Sequence, residues 1–216
     1  MKEWGKRLAA ALGLLAAFAL WTAAVCFVDV RAAGPLGSCV GFARLNSFFH
    51  SLTGVHMTLY TMTDWLSLIP VGVCIGFGAL GLSQWIRRKS LLRVDRDILA
   101  LGGFYATVMA AYILFEAVAV NYRPVLIDGR LEASYPSSTT LLVLCVMRTA
   151  GIQCRKRIGD PVLRGRVNGA NAAFTALMVI GRLLSGVHWL TDIVGGVLLS
   201  AGLVALYDAV CFRVKA

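Results

Sequence analysis

Six long apolar segments divide the chain, and short polar connections separate them. They cover residues 8–28, 59–86, 98–120, 138–154, 170–187 and 189–212. About 20 apolar residues let a helix cross the hydrocarbon core of a bilayer, and these segments reach or approach that length. The pattern predicts an all-α fold: an integral membrane bundle of about six transmembrane helices, in which residues 1–216 form a single membrane-embedded domain.

The first apolar segment follows a short basic start, as in a secretory signal peptide. It continues from residue 8 to residue 28, whereas the apolar region of a signal peptide is only about 7–15 residues long. We therefore favour a retained first span over a cleaved signal peptide.

The composition agrees with a membrane protein. Of the 216 residues, 58% are hydrophobic and 15% are charged, and the mean hydropathy is +0.75. The formal charge of +10 would fit a nucleic-acid-binding protein, but no basic run is interleaved with aromatic residues, so nucleic acid is excluded as a partner. The six cysteines form no CxxC pair and no ligand set with histidine. Neither a metal nor a cofactor is predicted.

The basic residues alternate between dense and sparse connections. Dense groups precede the first segment, follow the second and the fourth, and end the chain: Lys2, Lys6, Arg7; Arg87, Arg88, Lys89, Arg93, Arg96; Arg155, Lys156, Arg157, Arg164, Arg166; Arg213, Lys215. Because cytoplasmic loops carry an excess of lysine and arginine, this predicts a multi-pass protein of the cell membrane with both termini in the cytoplasm. The loops that hold Arg123, Ser137 and residues 187–189 then face outside.

Two features do not fit a plain row of spans. Residues 45–60, LNSFFHSLTGVHMTLY, place aromatic residues and leucines at mixed three- and four-residue spacing, which predicts an interfacial helix lying on the membrane. Arg148 falls midway along the fourth segment, where an arginine either snorkels toward the cytoplasm or faces a polar interior.

The stretch 181–196, GRLLSGVHWLTDIVGG, combines an apolar composition with three ionisable residues. His188 and Asp192 are four residues apart, so a helix would place both side chains on one face. Arg182 precedes His188 by six residues. Ionisable groups at the edge of a bilayer are costly and usually have a function. An arginine that holds an anion, a histidine that attacks and a carboxylate that orients it predict a phosphoryl-transfer site.

Two further clusters lie on the same predicted side of the membrane, NYRP at 121–124 and ASYPSSTT at 133–140. Arg123 would join Arg182 in binding phosphate oxygens. Ser137, Ser138 and Thr139 follow a proline, as at the start of a helix, where free backbone N–H groups and hydroxyls would face an anion. Since the arginines neutralise charge, no metal is needed.

These three clusters resemble the tripartite signature of the type 2 phosphatidic acid phosphatase superfamily, which also contains the vanadium haloperoxidases. The third motif is nearly complete as Arg182, His188 and Asp192, the first keeps Arg123–Pro124, and the second keeps Pro136–Ser137. The resemblance implies a six-helix membrane phosphatase that forms a phosphohistidine on His188. It implies substrates such as phosphatidic acid or a polyprenyl pyrophosphate.

The first and second motifs are degenerate. Glu116 stands where the family has a lysine, and Thr139 stands where the family has the histidine that protonates the leaving group. Ser138 and Gly181 replace a glycine and a serine. A general acid contributes about 10²–10⁴-fold to the rate, so its loss should depress turnover unless another group replaces it.

Several residues could compensate for these losses. His56, His50 and Asp64 are candidate proton donors, although a histidine on an interfacial helix is more often a polar residue at headgroup level. Glu116 is predicted to pair with Arg123, about two turns along the same helix face; the alternative is a contact with a cationic headgroup or a metal.

The sequence therefore predicts a membrane phosphatase of lipid-linked phosphate or pyrophosphate, acting at the extracytoplasmic face in contact with the bilayer and a phosphorylated lipid. A catalytically silent lipid-phosphate binder and a lipid phosphotransferase are the alternatives. Without the family histidine, we expect pyrophosphates to be preferred over monoesters, because a phosphate leaving group needs protonation less than an alkoxide does. The identity of the lipid and the oligomeric state stay open.

Overall fold

The computed structural model of the protein describes residues 2–215, most of which are helical. A two-stranded antiparallel ribbon, β1 (Arg31–Ala32) with β2 (Cys39–Val40), follows the first helix. The helices in chain order are α1 Lys2–Phe27, α2 Ala43–Thr53, α3 Met57–Leu66, α4 Leu68–Arg88, α5 Arg96–Ala117, α6 Ser138–Arg157, α7 Pro161–Leu184 and α8 Leu190–Lys215.

Within residues 2–215, five helical segments are long and apolar enough to cross a membrane. They are α1, α3 together with α4, α5, α7 and the Leu190–Phe212 part of α8. Each corresponds to one of the apolar segments of the sequence. The prediction of an all-α membrane bundle is confirmed.

The fourth predicted span, α6, is long enough but not apolar enough to belong to that set. More than half of its 20 residues are buried, and they include Thr149 and Gln153. The Thr149 hydroxyl donates to the carbonyl of Cys145 at 2.8 Å, and the Gln153 amide donates to the Tyr207 hydroxyl at 2.6 Å. Since these two polar side chains are satisfied inside the protein, α6 can pack one face against the other helices despite its lower hydropathy.

The first and last helices lie along each other. At Gly202 of α8 a β-carbon would come within 2.7 Å of Leu15 of α1, so the absent side chain permits their close approach. Phe18 of α1 stacks on Tyr135, with 6.3 Å between ring centroids, and both rings belong to the main apolar core. This contact anchors the segment that leads into α6.

The predicted helix over residues 45–60 is broken in two. Gly54 ends α2 at φ +67, and α3 begins at Met57. The Asn46 side chain ties α2 to the start of α8, because it donates to the Thr191 hydroxyl at 2.9 Å and accepts from the Thr191 backbone N–H at 3.2 Å.

The connection between α5 and α6 forms a hairpin-like loop. α5 ends at Ala117, three residues before the predicted boundary. Isolated bridges pair Tyr122 with Ala133 and Ile127 with Arg130. Asp128 and Gly129, both at positive φ, make the tight turn between them, as an Asp-Gly pair commonly does in hairpins. The loop sets Arg123 opposite Glu132.

Candidate active site

Three segments meet at one end of the bundle, which we call the site end. They are the α5–α6 loop, the first turn of α6, and the turn between α7 and α8. Arg123 Nη1 lies 3.3 Å from His188 Nε2. His188 Nδ1 lies 3.7 Å from Asp192 Oδ2. Arg182 Nη2 donates to the Thr139 hydroxyl. The structure thus brings together residues from all three sequence clusters.

Asp192 is fully buried and firmly held. One of its oxygens accepts from Asn121 at 3.3 Å, and the other accepts from the backbone N–H of Trp189 at 3.0 Å. It also lies in the first turn of α8, where the helix dipole favours a negative charge. Its distance to His188 Nδ1 exceeds that of a hydrogen bond. The Asp192 carboxylate therefore faces the imidazole without bonding it. A small shift of either side chain would bring Oδ2 within hydrogen-bond distance of Nδ1.

The partners of His188 define its tautomer. A guanidinium can only donate, so Nε2 must accept from Arg123 and carry the lone pair. The hydrogen then resides on Nδ1, on the side of Asp192. His188 is 4% exposed, and this burial lowers its pKa from 6.5 to about 4; the nearby Arg123 acts in the same direction and Asp192 opposes both. The lowered pKa favours the neutral histidine at physiological pH, with its lone pair at Nε2.

The two arginines are buried with unused donors. Arg182 is 2% exposed, and its Nε and Nη1 have no hydrogen-bond partner. Arg123 Nε lies at ion-pair distance from Glu132, 3.0 Å, but the two groups are not aligned for a hydrogen bond. Buried donors without acceptors are costly. An anion between the two guanidinium groups would satisfy them.

Helix α3 covers the arginines. The ring of Tyr60 lies 4.8 Å from the Arg182 guanidinium carbon and 5.8 Å from that of Arg123. One turn later, Asp64 accepts from Arg182 Nη2 at 3.0 Å, while 58% of its side chain stays exposed. Tyr60 and Glu132 belong to none of the three sequence clusters, and their presence at the site is not predicted from the sequence. The four-residue spacing of Tyr60 and Asp64 on an apolar helix, and the position of Glu132 across an Asp-Gly turn from Arg123, are the signals that could have revealed them.

The three residues predicted to cradle phosphate differ in their surroundings. Ser137 is fully buried and caps α6, since its hydroxyl accepts from the Thr140 N–H and its own N–H donates to the Asp192 carbonyl. Through these bonds Ser137 stabilises the start of α6 and ties it to α8. Thr139 is bonded to Arg182. Ser138 is half-buried and lines a small cavity that His188 also lines.

The predicted ion pair between Glu116 and Arg123 is wrong. α5 ends at Ala117, so the helix that would have aligned the two residues does not continue, and Arg123 pairs with Glu132. Glu116 is exposed and lines a cavity of about 10 Å³ with Tyr112, Ser138 and His188. That volume holds roughly one water molecule.

Neither candidate histidine contacts the cluster. The His50 ring nitrogen bonds the Gly186 carbonyl at 3.1 Å, and its ring packs on Trp189. His56 is exposed and bonds the Thr53 carbonyl at 2.9 Å. Both support the fold around the α7–α8 turn. Asp64, the third candidate, does reach the site, next to Thr139.

An open groove leads away from the cluster. It has a volume of about 420 Å³ and lies between α4, α5 and α6. Asp64, Ser138 and Thr139 line the groove at the site end. Mainly apolar side chains line the rest, among them Val71 and Val108. Within residues 2–215, no three His, Cys, Asp or Glu side chains are grouped to hold a metal ion.

Together these features define a class, an all-α integral membrane protein with an arginine–histidine–aspartate cluster at one end of its bundle. A solved structure shares the fold: the crystal structure of the first transmembrane PAP2-type phosphatidylglycerolphosphate phosphatase from Bacillus subtilis. Its TM-score is 0.58 over 95% of this chain and 96% of that chain, at 18% sequence identity. No family model and no curated protein sequence matches the chain. The likeness establishes the fold.

Proposed function

We propose that the protein is a membrane phosphatase that hydrolyses a lipid-linked phosphate or pyrophosphate, releasing the terminal phosphate through a phosphohistidine on His188. The observation that carries the proposal is the Nε2 lone pair of His188, which accepts from the buried Arg123, with a second buried arginine, Arg182, nearby; both arginines have unused donors. The fold shared with a PAP2-type phosphatase supports the same class.

The first chemical step follows from these contacts. Arg123 would exchange its bond to Nε2 for a phosphate oxygen, and Arg182 would bind another, which neutralises charge without a metal. Nε2 then attacks phosphorus, the bond to the lipid oxygen breaks, and Asp192 stabilises the imidazolium that forms. In the second step water attacks phosphorus, and the P–N bond returns its electron pair to Nε2.

The leaving oxygen of a monoester needs a proton in the first step. Thr139 cannot supply it, but Asp64 lies beside Thr139 on the same Arg182 nitrogen. A phosphate bound to Arg182 would displace the carboxylate and would share one proton with it. We infer that Asp64 passes this proton to the leaving oxygen and recovers it from the attacking water.

The open groove between α4, α5 and α6 supports a lipid substrate. Its polar end lies at the site end beside Thr139, and its apolar walls continue toward the middle of the bundle. A phosphate on the arginines would leave the attached chain in this groove. Phosphatidic acid and polyprenyl pyrophosphate both have this form, and the similar phosphatase from Bacillus subtilis is named for a third such lipid, phosphatidylglycerolphosphate.

Phosphate release from these three lipids tests the proposal, with wild type compared with His188→Ala and the matched control His56→Ala. We expect release by wild type and by His56→Ala, and a loss of about 10³-fold or more in His188→Ala, as when a nucleophile is removed. Equal release by wild type and His188→Ala would reject the phosphohistidine. Release from none of the lipids would favour a silent binder, and transfer of the phosphate to a second lipid would favour a phosphotransferase.

A further inference from the structure

Arg148 faces the outside of the bundle and not a polar interior. It is exposed on α6, ten residues after Ser138 and nine before Arg157. At 1.5 Å per residue it lies about 15 Å from the start of the helix, close to its midpoint. An exposed arginine at that depth is costly unless an anion or water compensates for its charge.

Two grooves flank this arginine, one on each side of α6. The groove between α6 and α8 has a volume of about 460 Å³, and the groove between α6 and α7 about 450 Å³. Leu144, Arg148 and Arg155 line both grooves, and we call these three residues the α6 ridge. Arg148 and Arg155 are about two helical turns apart, so their side chains project from the same face.

The α6 ridge has no acidic partner within the described residues. Lys156 and Arg157, at the same end of α6, pair with Asp97. Asp208 lines one groove, but its carboxylate is bonded to Arg7 of α1. Two arginines therefore face the bilayer side of the protein with no ion pair.

The polarity of the grooves changes along their length. Toward the site end the walls are apolar, with Val197 on α8 and Val179 and Ile180 on α7. Toward the opposite end α7 contributes Asn168 and Asn171. A lipid in the leaflet opposite the site would match this arrangement. Its polar headgroup would lie at the polar end of the grooves, and its apolar chains would lie near the bilayer midplane.

From this arrangement we infer that the α6 ridge binds an anionic diacyl phospholipid of the leaflet opposite the site. Its phosphate would lie between Arg148 and Arg155, and one acyl chain would lie in each groove. Basic pockets between transmembrane helices recognise anionic headgroups in this way. A second copy of the chain fits less well, because the acids in its helices either pair with basic residues or lie at the site end. The inference does not depend on the phosphatase activity.

The test is lipid retention. The full-length protein is placed in nanodiscs of phosphatidylcholine with a minor share of phosphatidylserine, which has no terminal phosphate for a phosphatase. Native mass spectrometry then measures the bound lipid. We expect wild type to retain one phosphatidylserine, and Arg148→Gln and Arg155→Gln each to lower retention about fivefold, equivalent to the roughly 1 kcal/mol of one arginine near an anionic lipid.

Three controls separate charge from folding and from the active site. Arg148→Lys keeps the charge and should retain the lipid, which shows that the loss in Arg148→Gln is electrostatic. Arg87→Gln removes an exposed charge from the end of α4, and Arg182→Gln removes one from the site; both should retain phosphatidylserine. Equal retention in wild type and Arg148→Gln would overturn the inference, as would wild type that binds phosphatidylcholine equally or carries a second protein in place of the lipid.

Discussion

His188 illustrates how burial sets the chemistry of a single side chain. Its surroundings remove water, hold the lone pair at Nε2 and leave Asp192 a short distance behind Nδ1. In water a histidine is half protonated at a pH near 6.5. Here the neutral form persists to a much lower pH because burial disfavours the charged form.

The pH dependence of catalysis should reflect this shift. Because the pKa of His188 is lowered to about 4, we expect the acid limb of kcat/KM in the free enzyme to lie well below pH 6.5. The unfolded chain would take up a proton first as the pH falls, so stability should decrease between 6.5 and about 4. A pH–rate profile with a water-soluble substrate checks this. An acid limb at or above pH 6.5 would contradict the assignment of His188 as a buried neutral nucleophile.

The second residue-scale prediction concerns the proton donor. Asp64→Asn keeps an acceptor for Arg182 but cannot donate a carboxyl proton, so monoester turnover should fall about 10²-fold or more, with a smaller loss on pyrophosphates. Asp128→Asn, in an exposed turn where asparagine is tolerated, is the matched control. Thr139→His in the Asp64→Asn background should restore part of the monoester activity. If Asp64→Asn slows both substrate classes equally, Asp64 positions Arg182 and donates no proton.

Part of this cluster could be predicted from single residues and part could not. Arg182, His188 and Asp192 stand at spacings that a helix or a turn makes meaningful, Arg123 lies in a polar cluster on the same predicted side of the membrane, and the structure brings Arg123, His188 and Asp192 together. Glu132 and Tyr60 reach the same cluster from a hairpin and from a separate helix. The spacing of Tyr60 from Asp64 and the Asp-Gly turn before Glu132 place each residue locally, but their contacts with the arginines depend on tertiary packing.

At the scale of elements, the turn between α7 and α8 depends on one close backbone approach. Gly186 has φ +69, and a β-carbon there would lie 1.8 Å from the Gly54 carbonyl oxygen, where α2 ends. The turn directly precedes His188. The position of His188, the proposed nucleophile, therefore depends on contact between two loops far apart in the sequence.

Gly186→Ala should separate these loops. We expect a lower Tm in detergent and a loss of phosphatase activity, because the variant adds backbone strain of about 1–2 kcal/mol and a clash with Gly54. Gly129→Ala is the matched control, since Gly129 also has a positive φ (+75) but open space around its α-carbon. Gly129→Ala should lower the Tm only by the effect of the backbone strain. Equal effects of the two substitutions would mean that contact with Gly54 contributes little.

Element boundaries explain where the sequence prediction failed. The apolar run of the third segment continues to residue 120, but α5 ends at Ala117, and the remaining residues enter the hairpin loop. Hydropathy alone cannot distinguish the last turn of a span from an apolar loop. The predicted pair of Glu116 and Arg123 failed for this reason.

At the scale of the whole molecule, the more polar helix α6 packs against four of the five apolar segments and leaves one face, with Arg148 and Arg155, exposed. The arginine-rich connections between α4 and α5 and at the end of α6 lie at the end opposite the site. Apolar length predicted the spans well, because the bilayer imposes it. It did not predict that α6 would be the buried one, which depends on how the helices pack.

Orientation can be tested by reporter fusions after Arg96 and after Arg130. The distribution of basic residues predicts that the first fusion is cytoplasmic and the second lies outside. That result would put the proposed active site at the outer face of the cell membrane. Both reporters on one side would rule out a membrane crossing by α5.

The contact between Asp64 and Arg182 has a consequence for how the proposed phosphatase would handle its own product. In the resting protein a carboxylate oxygen already occupies Arg182 Nη2. Because it is tethered to α3, it competes at a high effective concentration with any free ion. A lipid substrate gains additional binding from its chain, whereas released inorganic phosphate does not. We therefore expect weak product inhibition, so that dephosphorylation continues in a phosphate-rich medium.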